Sequence, residues 1–541
     1  MSDSNTQFDY IIVGAGSAGG VMAARLSEDP ALRVLLIEAG SKDTNPFIHI
    51  PFGLSILSRF EGIGWGYHTT VQGELHDREL FWPRGKTLGG SSSVNAMCYI
   101  RGQKEDYDRW ALEGAEGWGF DEVLPYFKRS ENYYQGEDDY HGVGGPLHVS
   151  PLTDTSRLSD AFLAAAPAAD LAVLDDFNRD VREGLGYYHV TQVNGQRCST
   201  AKGYLSQAKH RGNLVILTKV AVEKVLIKNK CAIGVQAREK GSVKRYAARQ
   251  EVILCGGAIN SPHLLMLSGV GPRRQLENMG IYVHQDLPGV GENLQDHLDA
   301  IVQNTCKAKE GYAVAAGMFP KYAKASVEYL FKRKGIFSSN IAEAGGFVRS
   351  SIADDYPDIQ FHFLPAILED HGRQLAFGYG YGVHVCCLYP KSRGTIRLQS
   401  NHPADHPLID PKYLTHPDDI KVMIDGIKLA RTLLAAPSFA PFEGKERHPG
   451  ENAQSDEDLT AFLRERAETI YHPIGTCKMG KESDPMAVVN NKLKVLGIEN
   501  LRVVDASVMP SLVGGNTNAP TIMIAERAVD FIKAELHQAA L

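Results

Sequence analysis

The sequence predicts an α/β (α+β) chain of two parts: a Rossmann-like core built from separated stretches, and an inserted part built on a mainly antiparallel sheet with helices. Three observations carry this. Residues 10–40 read as strand, glycine turn, helix, strand and acid. Residues from about 305 to 410 alternate apolar and polar. The end of the chain returns to the first pattern, with a strand at Leu501-Arg502-Val503-Val504-Asp505 and a long amphipathic helix from Pro520 to Leu536.

In the first stretch, Tyr10-Ile11-Ile12-Val13 is an apolar run suited to a buried strand, and Gly14, Gly16 and Gly19 follow in G-x-G-x-x-G spacing. The first glycine permits the turn, the second lets a pyrophosphate approach the backbone, and the third lets the helix pack close to the strand. A helix from about Ser17 to Leu26 would offer unpaired N–H groups and a partial positive charge to phosphates. Val34-Leu35-Leu36-Ile37 forms the next strand and ends on Glu38, placed to accept ribose hydroxyls. A carboxylate there argues against a 2′-phosphate, hence against NADP. The expected ligand is an ADP-containing dinucleotide.

Residues 41–83 are loop-like, and a loop of that length is usually functional. Small residues then crowd Gly85-Lys86-Thr87-Leu88-Gly89-Gly90-Ser91-Ser92-Ser93-Val94-Asn95, as where backbone lies against a flat ligand. Leu214 to Leu217 and the alternating Val220, Val222, Val225 and Ile227 read as a strand or meander. Val252 to Cys255 reads as a strand entering a glycine turn, followed by a helix from Ser261 to Leu267 with Pro262 in its first turn. Ile359-Gln360-Phe361-His362-Phe363, Val383-His384-Val385-Cys386 and Gly394-Thr395-Ile396-Arg397-Leu398 alternate as half-buried antiparallel strands do. Asp418 to Leu434 reads as a helix.

The bulk numbers exclude several classes. The 541 residues are too many for one compact core and suffice for two or three domains. With 43% apolar and 22% charged residues the chain is globular, and a net charge of -7 leaves no footprint for nucleic acid. No apolar run reaches the ~18 residues of a membrane span. The start, MSDSNTQFDY, lacks the basic and apolar regions of a signal peptide. Eight scattered cysteines without a C-x-x-C pair read as reduced thiols of a cytoplasmic protein, with no disulfide frame and no metal site.

Five stretches together resemble the glucose–methanol–choline (GMC) flavin oxidoreductases, in the family's order across nearly the whole chain. They are the glycine turn, Gly85 to Asn95, Gly257-Ala258-Ile259-Asn260-Ser261-Pro262 through Gly271, Tyr471-His472-Pro473-Ile474-Gly475 through Gly480, and Asp505-Ala506-Ser507 through Asn516-Thr517-Asn518. The resemblance implies FAD and a two-domain fold: an FAD-binding domain at 1–150, 210–305 and 490–541, and a substrate-binding domain at 151–209 and 306–489. It implies His472 as the base that takes the hydroxyl proton of an alcohol, a task that suits the unperturbed pKa of imidazole. Asn516, 44 residues later, would complete the catalytic pair by donating to the alkoxide. Asn518 fits a cap of the final helix, whose positive end would face the flavin.

The cofactor contacts implied are Gly14, Gly16, Ser17, Ala18 and Gly19; Glu38 and Ala39; Arg84, Leu88, Gly90, Ser91, Asn95 and Ala96; Val222; and Asp505, Ala506, Asn516 and Thr517. Val94 stands where some family members carry a tethering histidine, so FAD is expected to be noncovalent. Glu343, His362 and Tyr471 are the expected substrate contacts. The position of a choline-binding tryptophan falls near Ile341, and the segment after Phe361 is closer to aliphatic alcohol dehydrogenases, so an apolar pocket is expected rather than a choline site. The activity implied is oxidation of a primary alcohol to the aldehyde. Electrons would pass to a quinone or, in an oxidase, to oxygen. The resemblance also admits choline dehydrogenase, and GMC-type lyases or decarboxylases. It is compatible with peripheral association at the inner face of a membrane and leaves the oligomeric state open.

Overall fold

The structure is a computed structural model that describes residues 6–57, 59–60 and 62–539. The strand Gln7–Val13 is buried from Tyr10 onward and lies parallel between Val34–Glu38 and the second half of Ser242–Leu254. Leu214–Thr218 and Leu501–Val503 extend this parallel region on either side. Parallel strands covered on both faces require continuous apolar runs, and Val34–Glu38 is buried throughout. Val220–Lys228, Cys231–Glu239 and the first half of Ser242–Leu254 continue the same sheet as an antiparallel meander.

The helix Ser17–Leu26 packs on the final helix, Asn518–Ala539. Their packing encloses Glu526, a buried carboxylate that accepts hydrogen bonds from Arg25, Arg129 and Tyr204. Removing a carboxylate from water is costly unless it is paired, so these contacts bind the two ends of the chain into one layer. Another helix, Gly257–Leu267, is four residues longer at its start than the sequence suggested, which puts Pro262 inside it. Proline cannot donate to the carbonyl of Ala258, and Thr476 Oγ1 donates to that oxygen instead at 2.6 Å. The compensating group comes from the segment that carries His472.

The second sheet runs Glu446–His448, Leu298–Thr305, Gly380–Cys387, Ile359–Leu364, Ala344–Val348 and Gly184–Tyr187, antiparallel throughout. Leu298–Thr305, expected in the nucleotide-binding part, is a strand of this sheet and pairs along its length with Gly380–Cys387. The alternation of Ile359–Leu364 also has a different meaning from the half-buried strand expected: all six residues are buried. One face packs into the core, and on the other His362 and Leu364 line a protein-walled cavity rather than meeting bulk water, with Gln360 bonded to the cavity-lining Asn516. Helix Pro417–Leu434 covers the core face, and Gly426 permits the approach; a Cβ there would meet Val385 Cγ1 at 2.4 Å.

Candidate active site

A cavity of about 1120 Å³ is lined from both sheets. It sits at the carboxyl ends of Gln7–Val13, Val34–Glu38 and Ser242–Leu254, the edge at which open α/β sheets bind ligands. Gly14, with φ +98°, makes the turn out of the first strand. Gly90 and Gly16 lie so close that a Cβ on Gly90 would meet Gly16 Cα at 2.7 Å. Ser17 Oγ donates to Asn518 Oδ1 at 2.7 Å, which joins the N-terminal ends of the first and last helices at the cavity wall. Asn518 is therefore the first residue of its helix and a tether, in place of the cap expected.

Most of the sequence-derived contacts line this cavity: Gly14, Gly16, Ser17, Ala18, Glu38, Ala39, Arg84, Gly90, Ser91, Asn95, Ala96, Val222, Asp505, Ala506, Asn516 and Thr517. Glu38 accepts from the amides of Ala15 and Gly40, each at 2.8 Å, and burial raises its pKa. Asp505 accepts from the Gly257 amide, Ser261, and both the amide and hydroxyl of Ser507. Its carboxylate ties the start of helix Gly257–Leu267 to the turn at Ser507.

Three expected contacts lie elsewhere. Gly19 is packed against the first strand, where a Cβ would stand 1.8 Å from the Gly14 carbonyl oxygen. Leu88 is outside the cavity lining because its amide donates to Ser41 and its carbonyl accepts from Ser93. Glu343 is fully buried away from the cavity. Its carboxylate accepts from the Ser156 amide and from the hydroxyls of Ser159, Tyr312 and Ser339, and burial raises its pKa. It ties the start of Ala344–Val348 to three neighbouring segments and does not line the cavity.

His472 is held by its backbone as well as its ring. Its amide donates to Asp296 Oδ1 at 2.7 Å, and Asp296 also accepts from Thr469 and Tyr413. Burial raises Asp296 to about 6. The ring nitrogens form a chain whose proton positions follow from one carbonyl. His297 Nε2 is 2.9 Å from the Leu388 carbonyl oxygen, which only accepts, so Nε2 carries the proton. Neutral His297 then has a lone pair on Nδ1, which lies 3.0 Å from His472 Nδ1. His472 Nδ1 must donate to it, and His472 Nε2 is left with its lone pair. Asn516 Nδ2 lies 3.2 Å from that nitrogen, and Asn516 Oδ1 accepts from Gln360 at 3.2 Å, which fixes the amide orientation. Burial, then the rings of His297 and His362 and the charge of Arg84, hold His472 well below the usual imidazole range.

His362 and His384 face each other across neighbouring strands and both line the cavity. His362 Nδ1 is buried without a hydrogen-bond partner among the described residues, and burial pushes this ring down to about 3. Tyr471 also lines the cavity, with its carbonyl accepting from Arg84. Tyr471 and Ile341, both in the wall, have left-handed backbone at φ 76° and 68°. A β-branched residue is rarely found there, and such strain gathers at functional sites.

Four contributors were not read from the sequence. His297 and Asp296 sit in Gln295-Asp296-His297, a polar run buried ahead of a strand, and that run was the available signal. Asp299 lines the cavity and is paired with His384. Arg197 is buried and donates to the carbonyls of Ile48, Ser92 and Asn95 and to the Asn95 side chain, so one guanidinium shapes the loop before Ala96. Burial pushes it down to about 9.

Residues 8–299 match the N-terminal family model described as GMC oxidoreductase, and residues 390–525 match the C-terminal one. The chain belongs to the GMC oxidoreductase family. Alcohol dehydrogenase [acceptor] from Pseudomonas putida is 50% identical over 99% of this chain and 97% of its own. Human mitochondrial choline dehydrogenase is 46% identical over 99% of this chain and 91% of its own. The crystal structure of pyridoxine 4-oxidase from Mesorbium loti has a TM-score of 0.87 at 32% identity, covering 97% of this chain and 98% of that one. As a GMC oxidoreductase the protein is an FAD enzyme acting on CH–OH donors. The residues present fit that cofactor: glycines that admit close approach, two joined helix N-termini for the pyrophosphate, Glu38 for a ribose, and an unpaired buried nitrogen on His362. Val94 lines the cavity and has no nucleophile, consistent with noncovalent FAD.

Proposed function

We propose that the enzyme oxidises a primary alcohol with an apolar tail to its aldehyde, with His472 Nε2 as the base and Asn516 as the group that holds the substrate oxygen. The observation that carries this is the chain from Leu388 through His297 to His472, which leaves the lone pair of His472 on the nitrogen beside Asn516. FAD, when bound, supplies the hydride acceptor. The hydroxyl proton passes to His472 Nε2, and Asn516 Nδ2 donates to the oxygen as its charge develops. Because the histidine is held neutral, it is competent as a base without first losing a proton. Gln360 keeps the Asn516 amide in its donating orientation.

The test is a double-mutant cycle. His472→Ala should lower kcat by ~10²–10⁴ with FAD retained, and Asn516→Ala by ~10². The losses should fall short of additive, because both groups act on one oxygen of one transition state. A folded, FAD-loaded His472→Ala enzyme with near wild-type kcat would sink the mechanism.

The substrate tail is read from Ile341, Ala342, Leu364 and Leu368, which supply apolar wall, and from Glu343, which is turned away. One observation favours choline as a second reading: the carboxylate of Asp299 lines the cavity. Against it, that carboxylate is engaged by His384, and residue 341 is not aromatic. We expect kcat/KM to be higher for hexanol than for choline under one acceptor; a tenfold advantage for choline would overturn this reading. The physiological acceptor we propose is a quinone. Anaerobic bleaching by the alcohol followed by slow recovery in air supports it, and fast recovery marks an oxidase.

A further inference from the structure

Helix Phe319–Lys332 is apolar on two sides. Ala325 and Tyr329 are buried, whereas Phe319, Ala323, Val327, Leu330 and Phe331 lie on the opposite side and are exposed, Phe331 at 82% and Phe319 at 76%. At 100° per residue these five span about a third of a turn, one continuous outer stripe. A second exposed apolar group adjoins the helix through Ala313, which is hydrogen-bonded to Tyr322. Val314 bridges to Phe377 and Gly378, and Val314, Leu375 and Phe377 are exposed beside it. Isolated exposed apolar residues need no explanation, but a contiguous patch rimmed by polar groups does.

The rim is basic. Residues 319–334 hold Lys321, Lys324, Lys332, Arg333 and Lys334 against one acid, Glu328, in a chain whose net charge is -7. All five cations are exposed. An apolar stripe edged with lysines is the pattern of a helix lying in a lipid–water interface. The same charge disfavours a second copy of the chain, because two such faces would bring like charges together. The patch also shares walls with the cavity. Tyr322, on the buried side of the helix, contacts Phe52, which precedes the cavity-lining Leu54 and Ser55. The loop leading to Phe377 supplies Leu368, Asp370 and Gln374 to the cavity, which reaches the surface at exposed Phe60 and Gln374.

We propose that this helix and the Leu375–Phe377 loop form a docking surface for an anionic lipid bilayer. The surface stands on exposure and charge alone, independently of the catalytic assignment. Docking there would set the cavity beside the phase in which apolar alcohols and quinones concentrate.

The experiment is co-sedimentation of the FAD-loaded enzyme with vesicles of phosphatidylcholine alone and of phosphatidylcholine with phosphatidylglycerol. Binding is expected to the second, weakened by salt. Leu330→Ser with Phe331→Ser should weaken it by about tenfold or more, from the lost apolar burial. Lys321→Glu with Lys324→Glu should weaken binding to anionic vesicles by about fivefold per charge. All variants should keep the melting temperature and the turnover of a water-soluble alcohol with a soluble acceptor. Absence of binding to either vesicle overturns the proposal, as does unchanged binding by the serine variant. Concentration-dependent self-association that the serine variant abolishes, without vesicle binding, assigns the patch to a second copy and equally overturns it. A loss of turnover in His472→Ala with vesicle binding intact separates failure of the catalytic reading from failure of this one.

Discussion

His297 is the residue whose replacement tests the proton arrangement most directly. Two variants of similar volume separate hydrogen bonding from packing. His297→Leu fills the space but cannot accept from His472 Nδ1, so it removes the contact at 3.0 Å and leaves the Leu388 carbonyl unpaired. His297→Asn offers a side-chain oxygen near the position of the lost Nδ1. One net hydrogen bond is worth about 1–1.5 kcal/mol, so without it the His472 tautomer with a protonated Nε2, which cannot act as base, is no longer disfavoured. The bond strengthens to about 1.5–3 kcal/mol as His472 takes the proton and becomes charged, about 10–100-fold in rate. We expect kcat/KM of His297→Leu to fall by that factor, with His297→Asn within about fivefold of wild type, about 1 kcal/mol. The assay is stopped-flow reduction of the bound flavin by alcohol, with flavin content checked in each variant. Stability gives a second readout. Burial pushes His297 down to about 4, so between pH 6.5 and 4 the unfolded chain binds a proton there that the folded chain does not. Its contribution is present above the unfolded value and is lost as pH falls, at about 1.4 kcal/mol per pH unit. His297→Leu lacks this term, so the stability gap to wild type should narrow by about 2 kcal/mol between pH 6.5 and 5. Equal activity of the Leu and Asn variants, or a gap that does not change with pH, would refute the assignment.

Three further outcomes are expected. Acid precipitation of the enzyme should release all the yellow colour into the supernatant, because Val94 offers no tether; colour in the pellet contradicts this. Glu343→Ala leaves four donors, two of them buried and two half-buried, without their acceptor and should cost at least about 3 kcal/mol of stability while changing KM little, whereas a substrate-binding carboxylate would show the reverse on thermal melting and steady-state kinetics. With His472 held well below the usual range, kcat/KM should show no acid limb near pH 6.5; a limb at or above that pH means the base titrates in an environment more polar than the one described.

The sequence by itself determined what depends on local backbone and on period. Gly14 must take positive φ and Gly19 must be small wherever a strand turns into a helix at that spacing, so the glycine turn, its flanking strands and Glu38 were legible from one stretch. Five motifs in order were enough for the family and, with it, for the roles proposed for His472 and Asn516. The tertiary structure decided what depends on partners distant in sequence. The His297–His472 contact spans 175 residues, and nothing local to His297 states which nitrogen its neighbour keeps free. Glu343 looked like a substrate carboxylate because its segment resembles the choline-dehydrogenase-like branch of the family; four donors from three separate segments turn it inward. Leu298–Thr305 joined the second sheet because its partner, Gly380–Cys387, lies about eighty residues on. The alternation of Ile359–Leu364 was read correctly as two faces, but period alone cannot distinguish a face that meets water from one that meets a cavity, since either can carry polar side chains.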